Sequence, residues 1–408
     1  MRPIVHFTAG KGWINDPHGI TYHSGEYHMF FQFVPGRTTW APNCHWGHAT
    51  GPDLLSWTEQ PIALAPGEGD DGIWTGSLVL DDEQRARIFY TATSQPDIGI
   101  GRIRVATSED DQWMQWTKGD VVAQAPAGLD IIAYRDPFLL RDSDRWRMFV
   151  GAGAADGTAM ALSYTSEDLN TWSYEGIALE RNTRVRDQVW MGALWECPQI
   201  FDVDGRAVMV SSVWDDDVLH HAGYAIGAYH EGRFEAETWG RLTFGESYYA
   251  PSFFRDAAGQ PCLTFWMRGI ADEDAGWASA HSVPHRLRLD GDVLVAEPHP
   301  DLLRRRGPQC VGGHVDSLAA DIEWDGIGEL SVASGGAEVF RMRSAGAECV
   351  ISIGGAEASF PARGPVRVLV DAQSLEVSSH AGIFGAAIAP TGDSLDVTGG
   401  AARVFLLR

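Results

Sequence analysis

Five stretches of this chain repeat one pattern at a spacing near 60 residues, and that repeat restricts the fold more than any other feature. They are DPHGITYHSGEYHMFFQF from Asp16, GSLVLDDEQRARIFYTA from Gly76, DPFLLRDSDRWRMFVGAG from Asp136, ECPQIFDVDGRAVMVSSV from Glu196 and APSFFRDAAGQPCLTFWM from Ala250. The starts lie 60, 60, 60 and 54 residues apart. Each opens on a small or acidic residue, runs into a short apolar strand, turns on Asp, Gly, Ser or Gln, and continues into a second apolar strand. A second repeat runs out of phase with the first. Polar, Asp-containing segments are followed by Trp57, Trp116 and Trp172, at spacings of 59 and 56.

Each unit has room for about four short strands, and no helical periodicity is sustained anywhere. Four strands per unit in five units predicts an all-β chain whose first part is a five-bladed β-propeller, residues 1–303. After AEPHPDLLRRRG the composition shifts to Gly, Ala and Ser with alternating strands. Residues 311–408 are therefore expected as a small C-terminal β-sandwich, joined by a solvated linker at 304–310.

In a propeller the innermost strand of each blade faces the central channel, and the repeat starts are candidates for that strand. Three of the five begin with an acid: Asp16, Asp136 and Glu196. A common offset places them at one depth around one axis, where burial and like charge separate the roles of carboxyl groups. A lone Asp before Pro is ordinarily a turn or cap residue. Three acids at matching repeat positions point instead to a pair of carboxyls acting on one glycosidic bond, with a third holding hydroxyls.

Composition narrows the partners. A formal net charge of −24 repels phosphate backbones and anionic lipid, so neither nucleic acid nor a membrane is expected as a partner. No apolar run reaches the roughly 18 residues of a membrane span. A neutral small carbohydrate is compatible with that field, and sixteen Trp supply aromatic surface for sugar as well as for core. Cys44, Cys197, Cys262, Cys310 and Cys349 are scattered, without metal-ligand spacing, so neither a metal nor another cofactor is expected. The stretch MRPIVHFTAGKGW lacks the pattern of a secretory signal, which with the unpaired cysteines points to the cytoplasm.

The same residues carry a family resemblance. Trp13-Ile14-Asn15-Asp16-Pro17-His18-Gly19 resembles the W-x-N-D-P-N-G motif of glycoside hydrolase family 32, the invertases, inulinases and levanases. Arg135-Asp136-Pro137 resembles its R-D-P motif and Glu196-Cys197 its E-C motif, in the same order and at similar gaps. The resemblance covers roughly residues 1–300, with an echo in VRVLVDAQSLEV (Asp371, Glu376). It implies a retaining β-fructofuranosidase acting on sucrose or short fructo-oligosaccharides. Asp16 would attack C2 of a terminal fructosyl unit, Glu196 would protonate the leaving oxygen and then activate water, and Asp136 would bind fructose hydroxyls. It further implies a pocket of Asn15, Gln32, Trp40, Trp74, Thr75, Arg135 and Trp266, with Arg135 clamping Asp136. Cys197 has no partner for nucleophilic work and reads as a packed small residue.

The chain departs from the family pattern at several points. His18 stands for the usual Asn, which points to a distinct leaving-group preference. Thr75 stands for Ser, Thr243 for an Asp, and VPHRL for a P-R-E pattern. Two other readings remain open on sequence alone: a fructosyltransferase on the same scaffold, and a non-catalytic fructan-binding propeller, since fold does not determine function.

Overall fold

The computed structural model describes residues 2–408, and apart from one short 3-10 turn at Pro300–Arg305 their regular structure is β-strand. Three of the repeat units form four-stranded antiparallel sheets in chain order. They are led by Gly72–Leu80, Ile131–Asp142 and Leu194–Val203. The first and fifth units, led by Gly12–His23 and Tyr248–Arg255, share one nine-stranded sheet. They are joined where Gly12 and Trp13 pair in parallel with Trp277 and Ala278. Each lead strand packs against the next, and the fifth packs against the first.

The lead strands share one irregularity. Pro17, Pro137, Pro198 and Pro251 cannot donate to a ladder, and each lies at a register shift. Asp136, Cys197 and Ala250, each the residue before its proline, take φ values of 64°, 51° and 45°. Such a backbone is strained for a non-glycine residue and persists only where its surroundings enforce it. The second lead strand has no proline there. Its shift falls at Gly76, where a Cβ would lie 1.9 Å from the Phe89 carbonyl oxygen. These shifts break the offset expected for the three acids. Asp16 and Asp136 stand directly before proline, whereas Glu196 stands one residue earlier, at the ladder position that Arg135 holds in the third unit.

The out-of-phase repeat is a turn lock. The indole N–H of Trp57, Trp116 and Trp172 donates to the carbonyls of Leu54, Trp113 and Leu169, at 3.1, 2.8 and 3.3 Å. Each Trp thus satisfies a turn carbonyl three residues back and covers the adjoining strands with its ring.

Residues 306–407 supply six strands of a seven-stranded sheet and all of a six-stranded one, around a core that includes Trp324, Phe340, Phe360 and Phe384. The segment expected as a solvated linker is structured. Arg306–Gln309 pairs with Arg403–Leu407, and Arg306 donates to the fully buried Asp321 at 2.6 Å. Thr243–Gly245, from the front part of the chain, adds a parallel strand against Ile383–Gly385. There the Thr243 hydroxyl accepts the Ala222 amide at 2.8 Å, so the residue standing for an Asp braces the join between the two parts. The N-terminal segment closes the same join. His6 donates through Nδ1 to Asp371 at 2.8 Å and through Nε2 to Glu376 at 2.5 Å, all three buried. Burial alone would pull the His6 pKa down, but the bonds to Asp371 and Glu376 outweigh it and raise it to about 9. The ring is charged, and it is the cation between two buried carboxylates that otherwise accept only neutral donors: the Ile4 and Val5 amides at Asp371, and the Tyr248 hydroxyl and Val283 amide at Glu376.

Candidate active site

Asp16, Asp136 and Glu196 converge where the first, third and fourth lead strands bulge. A small cavity of about 60 Å³ lies among these strands, lined by His18, Thr75, Asp136, Cys197, Gln199 and Ser252.

Asp16 is held on both oxygens. Asn15 Nδ2 donates to Oδ1 at 3.0 Å, and the Thr75 hydroxyl and Gln32 Nε2 donate to Oδ2 at 2.6 and 3.3 Å. Gln32 also bonds the Thr75 hydroxyl. Burial raises the Asp16 pKa, the Thr75 bond opposes it, and the Glu196 charge adds to it. These buried or half-buried donors fix the carboxylate and oppose the cost of desolvating its charge.

Asp136 is 4% exposed. Its Oδ2 accepts the Cys197 amide at 3.0 Å, and its own amide donates to the Thr91 hydroxyl at 2.8 Å. Burial pushes its pKa up, the Arg135 guanidinium pulls it down, and the charges of Glu196 and Asp16 raise it again, leaving it near 7. The Cys197 thiol lies 3.7 Å from Oδ2 of both Asp16 and Asp136. It is thus more than a packed small residue: it is a donor between two acids. Burial and those acids hold it well above the usual thiol range, so it is not a nucleophile.

Glu196 is held by two residues. Arg135 donates to Oε1 through Nε and its terminal nitrogen, at 3.1 and 2.9 Å. The Tyr249 hydroxyl donates to Oε2 at 2.6 Å. Arg135 was expected to clamp Asp136, its sequence neighbour. The guanidinium bonds Glu196 in the next unit instead, and acts on Asp136 through its charge.

The aromatic residues fall into two groups. Trp40, 43% exposed, meets Trp74 edge-on at 5.9 Å, and the Trp74 indole is committed to the Pro42 carbonyl. Trp266 meets Trp13 edge-on at 5.7 Å, and its buried indole N–H has no partner among the described residues. Trp13 in turn donates to Asn15 Oδ1 at 3.2 Å. An unspent buried donor beside a carboxylate cluster suits a ligand hydroxyl. His18 does not sit on a leaving-group surface. It is 1% exposed, lies 3.8 Å from the Trp46 ring and lines the small cavity, with neither ring nitrogen bonded among the described residues.

Sequence reading missed Tyr249 and Thr91. Tyr249 carried a faint signal in the YYAP segment, and Thr91 carried none. Elsewhere, Asp256, Cys262 and His299 lie close enough to share a metal ion. Asp256 is already bonded by His299, Arg286 and two amides, and the Cys262 thiol turns to the Gln260 carbonyl, so the group reads as a closed turn lock.

Residues 6–298 match the family model described as the glycosyl hydrolases family 32 N-terminal domain. The chain is 29% identical over 324 residues to a sucrose-6-phosphate hydrolase of Bacillus subtilis, covering 75% of this chain and 66% of that protein. It is 29% identical over 344 residues to a fructan 6-exohydrolase of Beta vulgaris, covering 74% and 55%. It thus spans between about half and two thirds of the length of these curated relatives. Among solved structures it resembles a GH32 β-fructofuranosidase of Bombyx mori, with a TM-score of 0.86 at 23% identity, over 100% of this chain and 94% of that one.

Proposed function

This chain belongs to glycosyl hydrolase family 32, and on that premise we propose that it is a retaining β-fructofuranosidase. It releases terminal non-reducing β-D-fructofuranosyl units from sucrose or short fructo-oligosaccharides. The observation that carries this reading is the single network joining three acids: Asp16 and Asp136 share the Cys197 thiol, and Glu196, the residue before Cys197, is held by Arg135 and Tyr249. The relatives named for sucrose 6-phosphate and fructan hydrolysis support a fructoside as substrate. We read the circuit of five lead strands as the inner wall of a five-bladed propeller over residues 1–303, and the two later sheets as a β-sandwich over residues 311–408. The likeness to the Bombyx mori fold supports that reading.

In the first step an Asp16 oxygen attacks C2, the C2–O glycosidic bond breaks, and Glu196 gives its proton to the leaving oxygen. In the second, water attacks C2, Glu196 takes the proton, and fructose leaves Asp16. Because Arg135 occupies Oε1, the proton travels through Oε2. When Oε2 is protonated, the Tyr249 hydroxyl accepts from it and turns its own hydrogen toward the Val213 carbonyl, 3.4 Å away. Asp136 is reserved for sugar hydroxyls and for the positive charge that develops at the ring. The Trp266 indole N–H and the exposed Trp40 face complete the pocket.

The test is product analysis. Sucrose, kestose, inulin and levan are incubated with the protein in dilute methanol. Release of fructose together with methyl β-D-fructofuranoside is expected, because a fructosyl-enzyme opened by methanol on the same face retains configuration. Methyl α-fructofuranoside would contradict a retaining mechanism, and silence on all four sugars would contradict a fructosidase.

A further inference from the structure

Asp16 sits where its strand has lost its ladder. Pairing with Glu26–Val34 stops at Ile14↔Phe33 and resumes at Pro17↔Phe31, so Asn15 and Asp16 fall in the gap. The parallel pairing on the other side ends at Trp13↔Ala278. A buried carbonyl left in such a gap costs free energy unless a donor reaches it. The donor to the Asn15 carbonyl is a side chain: His281 Nε2 lies 2.7 Å from that oxygen.

His281 is built for this one bond. It is 1% exposed and packs against the rings of Phe7 and Phe31, and its amide donates to the Phe7 carbonyl at 2.8 Å. Its Nδ1 has no partner among the described residues, and Nε2 faces a carbonyl that can only accept, which assigns the single ring proton to Nε2. Burial pulls its pKa down to about 4, so the ring is neutral at pH 7.

The other proline-marked bulges are pinned in the same manner. The Asp136 amide donates to Thr91, the Cys197 amide to Asp136, and the Ala250 amide to Ser212, at 2.8, 3.0 and 3.0 Å. In each case the pin comes from the preceding repeat unit. His281, from the fifth unit, does this for the first, through the carbonyl instead of the amide.

We propose that His281 is a positioning residue for the nucleophile. Its Nε2–H fixes the Asn15–Asp16 peptide, which aims Asn15 Nδ2 at Asp16 Oδ1 and presents Oδ2 to Thr75 and Gln32. It touches neither the substrate nor the reacting atoms. The inference rests on the role proposed above for Asp16.

The test compares the parent with His281→Leu, which removes the donor, and His281→Gln, which keeps an N–H donor of similar reach. Steady-state kinetics on the best fructoside are combined with thermal unfolding and a long-range proton–nitrogen NMR spectrum of the imidazoles. In His281→Leu, kcat is expected to fall about 10- to 100-fold with KM within about twofold, as small misplacements of a reacting group do. His281→Gln should recover to within about fivefold of the parent, since the hydrogen bond is restored. The His281 signal, assigned by its loss in the Gln variant, should be the neutral Nε2-protonated form at pH 7. If His281→Leu does not fold, His281→Asn, whose amide falls short of the carbonyl, replaces it with the same expected loss. A parent active on fructosides with an undiminished His281→Leu, or an Nδ1-protonated ring, would overturn this inference alone. A parent inactive on every fructoside would overturn the role of Asp16, and this inference with it.

Discussion

The Tyr249 hydroxyl lies 2.6 Å from Oε2 of Glu196, the one carboxylate oxygen that Arg135 leaves free. Tyr249→Phe removes that partner without changing shape. The expected result is a fall in kcat of about tenfold, less than the roughly 10²–10⁴-fold of a proton donor itself because Glu196 stays in place, with KM within about twofold. Arg135→Lys should cost more, about 100-fold in kcat, because an ammonium cannot reproduce the two-nitrogen hold on Oε1. Steady-state kinetics with sucrose check both, and a Tyr249→Phe enzyme with parental kcat would contradict the assignment of the proton to Oε2.

Asp136 is kept at a cost to stability that depends on pH. Its folded-state pKa, about 7, lies above the roughly 3.9 of an unfolded chain. Its proton-linked stabilisation is therefore fully present below about pH 4 and is lost as pH rises through about 7. Asp136→Asn keeps an acceptor for the Cys197 amide and removes the charge. The variant should lose most activity yet melt higher than the parent, with the gain largest above pH 7 and vanishing toward pH 4. Melting curves from pH 4 to 8 provide the check; a gain that shrinks as pH rises would contradict the sign.

Cys197 stands between two acids, and burial together with their charge holds its thiol protonated. Alkylation requires thiolate and access. Among the five free cysteines four are buried, and only Cys310 is half-exposed. Iodoacetamide on the native protein should label Cys310 and leave activity intact. Peptide mass spectrometry reads the sites, and modification of Cys197 without denaturant would contradict the packing described here.

The charged His6 between Asp371 and Glu376 makes the stability of the fold fall at alkaline pH. Its folded pKa, about 9, is raised above the ordinary 6.5. Its contribution is therefore complete below about pH 6.5 and disappears as pH rises through about 9. Glu376 works in the opposite sense. Burial would raise its pKa, but the bonds to His6 lower it overall, so its contribution is present above its ordinary range and lost on acidification. His6→Leu removes the cation from two buried carboxylates and leaves them only neutral donors, and it should cost about 3–5 kcal/mol at pH 6. Chemical denaturation at pH 6 and pH 10 tests the sign: the gap between parent and variant should narrow at pH 10, and a constant gap would contradict a charged His6.

Much of this site is legible in the sequence, because its acids lie within a repeat whose turn residues and strand runs are local signals. The same holds for Asn15, Gln32 and Thr75, which reach Asp16 from the positions expected. The pairings between units left no such signal. Arg135 adjoins Asp136 in sequence, yet its guanidinium bonds Glu196, 61 residues on. Tyr249 approaches Glu196 from 53 residues away, Thr91 reaches Asp136 across 45, and His281 reaches Asn15 across 266. The one-residue offset of Glu196 depends on where each strand bulges. Composition could not give that offset, although the prolines mark it once the pairing is known. Arg306 reads as a solvated charge because its partner Asp321 lies on a different strand.

The most direct test of the account is the initial rate of sucrose hydrolysis by the parent and by Asp16→Asn, measured as fructose and glucose together. The account predicts equal release of both sugars by the parent. It predicts a fall of at least about 10⁴-fold in the variant, since no covalent step is left to share the barrier. A variant that keeps more than about a hundredth of the parental rate, at equal folding, would contradict Asp16 as the nucleophile.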